Sequence, residues 1–240
     1  MPARSAIFLI AFVVGAATLG SEIAAARLLA PWFGSSTIVW ANTIATVLVA
    51  LSIGYWIGGR WADRDPTLRG LARVVVVGAA LLAVVPFVAE PVLRVSVDAL
   101  DSVNVGAAAG SLLTVLVLVA APLVVLGMVA PYAVRLAVTR VEEAGTVAGR
   151  LYAVSTAGSL VGVFLAALLL IPELGTQRTF VVFSLACGLV ALLGLRPLRR
   201  TILAPAGLAL LLAVPPGTVK ATGDEDGRVI WERETEYQYA

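Results

Sequence analysis

This sequence has no histidine, a single cysteine and few charged residues, and each shortage removes a class of function. Without imidazole there is no His-dependent triad and no His-ligated zinc centre. Cys187 is alone, so no disulfide framework can form within the chain. Only 13% of the residues are charged, against about 25% in an ordinary soluble domain. The net charge is +2, and the arginines stand at the ends of apolar segments instead of forming a patch that tracks phosphates. No nucleic-acid surface is expected.

Apolar residues make up 60% of the chain, and they are grouped in runs. A helix needs about 20 apolar residues, at about 1.5 Å each, to cross about 30 Å of hydrocarbon. Six segments meet that length: Ser5 to Leu29, Ser36 to Ile57, Leu71 to Ala89, Ala107 to Val129, Arg150 to Ile171 and, at the short end, Thr179 to Leu195. Backbone polar groups in lipid must be satisfied within the segment, so these runs are read as helices. The first follows Arg4 as a signal peptide would, but its length and the spans behind it favour a first transmembrane helix. A seventh stretch, Thr201 to Val214, would reach only about 21 Å. A short span, a re-entrant piece and an interfacial helix are all open for it. The mixed segment from Pro91 to Val105 is expected to lie as a helix at the membrane surface. The fold class is therefore an all-α membrane protein, a polytopic bundle of six to seven transmembrane helices. Residues 1–215 form the membrane domain, and the polar tail at 216–240 reads as the start of a soluble domain that is cut short.

Orientation follows from arginine. Arg4 precedes the first span, Arg60, Arg64, Arg69 and Arg73 lie between the second and third, Arg135, Arg140 and Arg150 between the fourth and fifth, and Arg196, Arg199 and Arg200 follow the sixth. The positive-inside rule then puts the N-terminus in the cytoplasm of a cell membrane, of the bacterial inner-membrane type.

Polar residues inside the spans are the candidate site. Glu22 lies deep in the first span, where an ionisable group is costly and needs a partner or a polar pathway. Arg27 is about 140° further round the helix, so the two do not share a face. Partners must come from other helices, and Asn42, Tyr152, Ser155, Thr156 and Ser159 are the nearest candidates by composition. A structural clamp and a substrate or proton site are both open. Gly54 with Gly58, and Gly158 with Gly162, have the four-residue spacing that lets helix backbones approach closely. Pro122 and Pro131 should kink or break the fourth span.

The stretch Gly58 to Pro66 resembles the G-x-x-x-D-R loop between helices 2 and 3 of major-facilitator transporters; a Gly-Asp-Pro turn with positive-inside arginines is the plain alternative. Several longer runs together resemble one family, the membrane-embedded spermidine synthase-like proteins, in which major-facilitator-like helices are fused to an aminopropyltransferase domain. The runs are Ser21 to Ser36, Gly54 to Arg60, Leu126 to Leu136, Gly149 to Ser159 and Glu234 to Tyr239. The resemblance implies a bundle like half a major-facilitator fold, with a lipid bilayer, an aminopropyltransferase domain and a polyamine as partners. It implies decarboxylated S-adenosylmethionine as co-substrate of the complete protein, with Gln238 the residue that touches its nucleoside. The glycine-rich nucleotide loop and the acidic amine-binding residues do not occur in these 240 residues, so no cofactor is expected on this chain and no aminopropyl transfer by it alone. A six-helix transporter half and a purely structural anchor are the competing functions.

Overall fold

The computed structural model describes residues 2–101 and 107–195. Thr201 to Val214, the tail at 216–240 and Gln238 lie outside the described residues. Within them the chain is helical throughout, with no strand. The elements are α1 (Pro2–Phe33), α2 (Thr37–Arg64), α3 (Leu68–Asp101), α4 (Ala107–Val115), α5 (Ala121–Gly127), α6 (Val129–Ala137), α7 (Ala144–Leu165), α8 (Ile171–Leu174) and α9 (Thr176–Ala191). Five helical stretches are long and apolar enough to cross a bilayer: Arg4–Phe33, Thr37–Arg64, Leu68–Val97, Ala108–Ala137 and Val141–Leu174. The apolar α9 is shorter, at 16 residues. The protein is an all-α bundle of membrane-spanning helices.

Local chemistry sets the joints. α1 ends where Gly34 adopts φ 74°, a left-handed conformation that glycine takes without steric cost, and its N–H returns to the Ala30 carbonyl at 3.0 Å. Ser36 then caps α2 by accepting from the Val39 N–H, and Thr67 caps α3 by accepting from the Gly70 N–H at 3.0 Å. Two five-residue π-helical segments, Leu116–Ala120 and Ala166–Leu170, each end two residues before a proline, Pro122 and Pro172. A proline lacks the N–H and crowds the preceding turn, and in each case the wider π turn falls where that misfit arises. The fourth span is thus π-helical before Pro122 and interrupted at Met128, ahead of Pro131.

Two expected boundaries are corrected. The stretch from Pro91 is no separate surface helix: α3 runs through Pro86 and Pro91 to Asp101 as one element. Nor is Gly58 to Arg64 a loop, because it forms the last turns of α2, leaving Asp65, Pro66 and Thr67 as the link. Arg64 lies in that last turn, where a cation suits the carbonyl end of the helix, and Arg60 stacks on Trp56 at 3.8 Å from the ring centroid.

Three interhelical pairings build the bundle. α1 runs alongside α7, with Gly158 on the Phe12 carbonyl and Gly162 on that of Ala16. α2 runs alongside the fourth span in the same way, with Gly54 on the Val124 carbonyl and Gly58 on the Met128 backbone. α3 and α9 are antiparallel, and the buried Ser184 hydroxyl donates to the Ala79 carbonyl at 2.6 Å. Exchanging the first three spans for the next three maps this pattern onto itself. The step that takes Gly54 to Gly158 also takes Gly58 to Gly162, and Gly15 against the Ser155 backbone has its counterpart in Gly127 against that of Leu51. The close contacts of the two halves thus recur in inverted order, and α3 packs against α9.

Candidate functional site: an axial cleft and a polar clamp

α1, α2, α5, α6 and α7 enclose a cleft of about 80 Å³. Its walls come in pairs that the same exchange relates: Gly15 with Gly127, Leu51 with Ser155, and Tyr55 with Ser159. The cleft therefore lies between the halves, beside these close glycine contacts. Its polar groups are Thr18, Tyr55, Tyr152, Ser155 and Ser159. Two of these hydroxyls have already spent their protons: Thr18 donates to the Val14 carbonyl at 2.8 Å and Ser159 to the Gly15 carbonyl at 3.2 Å. No charged side chain lines the cleft. It has room for a few waters and the hydroxyls to hold them.

Of the residues expected to form a site, Tyr152, Ser155 and Ser159 do meet here, and Glu22, Arg27 and Asn42 do not line the cleft. Asn42 is engaged elsewhere, donating to the Ala108 carbonyl at 2.6 Å and the Ser111 hydroxyl at 2.9 Å, which ties α2 to the start of the fourth span. Thr156 is exposed on α7. Glu22 is half-buried, and no hydrogen bond or ion pair joins it to Asn42, Tyr152, Ser155 or Ser159 among the described residues. Arg27 has a partner. Among the described residues no group of three or more cysteine or acidic side chains is placed to hold a metal ion.

A second polar cluster closes one end of the bundle. The Arg135 guanidinium donates to the Asp63 carboxylate at 3.0 Å, and the Tyr132 hydroxyl donates to the Asp65 carbonyl. Asp65 also accepts from the Thr67 hydroxyl at 2.7 Å and lies 3.9 Å from Arg73. Beside it, Arg4 donates to the Ala137 carbonyl and the Thr139 hydroxyl, both at 3.2 Å, and faces Glu143 at 3.6 Å. The link between α2 and α3, the end of α6 and the start of α1 are thereby joined. Arg4, Arg60, Arg64, Arg69, Arg73, Arg135, Arg140 and Arg150 all fall at this end, while Arg27, Arg94 and Arg178 fall toward the other.

Sequence reasoning missed Thr18, Tyr55 and Tyr132. Tyr55 and Tyr132 stand inside the runs Gly54 to Arg60 and Leu126 to Leu136, beside the glycine and proline that draw attention, and that adjacency was the available signal. The chain matches no family model, no curated protein and no solved structure.

Proposed function

We propose that this chain is the membrane module of a spermidine synthase-like protein, which anchors an aminopropyltransferase domain to a bacterial-type inner membrane. Support comes from the resembling runs, two of which meet in space at Gly58 and Met128. Gly54 and Gly58 of one run press on Val124 and Met128, the second of these within the run Leu126 to Leu136, and Ser155 and Ser159 of another meet Gly15. The observation that carries the anchoring role is the uncharged axial cleft. A polyamine is a polycation, and a site for it inside a membrane needs carboxylates to offset desolvation. The cleft offers none, so binding of the amine belongs to the soluble domain. There the amine nitrogen would attack the activated aminopropyl carbon of decarboxylated S-adenosylmethionine, with acidic side chains holding the amine and Gln238 against the nucleoside.

The test is retention. Membranes from cells carrying the gene with its downstream sequence should keep aminopropyl-transfer activity through an alkaline carbonate wash; activity released into the wash would refute anchoring by these helices.

A second reading, a transporter half resembling half a major-facilitator protein, draws on the inverted relation of the two halves and on the cleft between them. Proteoliposomes carrying the purified chain would then take up labelled polyamine faster than empty ones, and the anchoring role predicts equal rates.

A further inference from the structure

A second cavity, of about 400 Å³, opens between α2, α3 and the fourth span at the arginine-rich end of the bundle. Its size falls within the range of small-molecule sites. Its two ends differ in chemistry. Arg64, Arg73 and Trp61 stand at the mouth, whereas Val77, Val125 and Met128 form the wall further into the spans. Val77 lies nine residues beyond the start of α3, roughly 13 Å along its axis, and is itself exposed. The wall is apolar surface facing outward from helices that cross a bilayer.

The charge at the mouth is unbalanced. Asp65 is the one acidic lining residue; one of its carboxylate oxygens takes the Thr67 hydroxyl at 2.7 Å and the other is 3.9 Å from Arg73. Arg64 has no carboxylate partner among the described residues, and the Arg73 side chain is 71% exposed. Two guanidiniums thus share the mouth with one carboxylate, at the arginine-rich end of helices long enough to cross a bilayer, and an apolar wall leads on from them. A free phosphate would satisfy the arginines and leave the wall bare, and a neutral lipid would fill the wall and leave the arginines unmatched.

We infer that this groove binds an anionic phospholipid, its phosphodiester on Arg64 and Arg73 and one acyl chain along Val77, Val125 and Met128. Guanidinium groups suit phosphate oxygens because their paired donors match the geometry, and basic pockets between spans are recognised lipid sites. Trp61 at the rim lies where an indole ring favours the interface between water and hydrocarbon.

Native mass spectrometry of the full chain, in mixed micelles holding equal phosphatidylglycerol and phosphatidylcholine, tests the assignment. One net positive charge at the mouth predicts about fivefold retention of phosphatidylglycerol over phosphatidylcholine. Replacing both arginines, Arg64→Ala with Arg73→Ala, brings the ratio to near parity. Arg140→Ala with Arg150→Ala makes the same charge change at the same end and leaves the ratio intact. Val77→Trp fills the channel, keeps both arginines and lowers lipid retention. Should the alanine pair fail to fold, Arg64→Gln alone carries the charge test. Parity in the parent chain, an unchanged ratio without the arginines, or full retention in Val77→Trp would each overturn the assignment. So would displacement of the lipid by its soluble, chain-free headgroup at equal concentration, which would mark a phosphate site and not a lipid site.

Discussion

Gly158 rests directly on the carbonyl of Phe12, with no space for a side chain between α7 and α1. A Cβ there would have to push the α1 and α7 backbones apart along their long contact. Gly158→Ala should therefore destabilise the chain by about 2 kcal/mol, the usual scale of overpacking. A lowered apparent Tm in detergent reads the effect. Gly59 is the control: a Cβ at Gly59 meets nothing within 4 Å, so Gly59→Ala should raise stability by up to about 1 kcal/mol through helix propensity.

The inverted relation of the halves carries its own expectation. Gly54 stands to the Val124 carbonyl as Gly158 stands to that of Phe12. Gly54→Ala should cost about as much as Gly158→Ala, and the double variant should show the sum, since the two crossings share no partner. A harmless Gly54→Ala beside a damaging Gly158→Ala would separate the two crossings.

Tyr132→Phe removes the hydroxyl that reaches the Asp65 carbonyl and should cost about 1 kcal/mol. Arg135→Ala should cost less, at most about 1 kcal/mol, because both side chains of its ion pair with Asp63 are half or more exposed. Thermal unfolding of the two variants side by side checks the order.

Glu22→Gln should leave yield and apparent Tm unchanged or slightly raised. The side chain is half-buried and no ion pair or hydrogen bond is found for it among the described residues, so a neutral amide removes a desolvation cost and breaks no contact. A clear drop in Tm would mean that the carboxylate is held by another group.

The spans were legible because crossing a bilayer demands long apolar runs, and nothing else in the chain competes with that pattern. The small-residue spacing at Gly54, Gly58, Gly158 and Gly162 also announced close helix contacts, although which helices they join depends on tertiary pairing. The site was legible only in part. Tyr152, Ser155 and Ser159 share one face of α7 and do line the cleft, but Asn42 was grouped with them by composition and sits at the far end of α2 instead. Composition gives the type of a polar residue and not its height in the membrane. The helical turns from Gly58 to Arg64 were obscured for a related reason: glycine and aspartate signal a turn locally, and packing against Met128 overrides them.

Orientation is checked by labelling. A cysteine placed at Arg64 in a Cys187→Ala background should resist an impermeant thiol reagent in intact cells and react after the membrane is opened, as the arginine-rich end predicts. Reaction from outside would reverse the bundle.

The proposed division of labour, helices for anchoring and a soluble domain for chemistry, is tested most directly by product analysis. The purified 240-residue chain and a version extended through its downstream sequence are incubated side by side with decarboxylated S-adenosylmethionine and a diamine. The account predicts aminopropylated amine from the extended protein and none from the short chain, whose cleft is lined by no charged side chain. Product from the short chain, or none from the extended one, would contradict it.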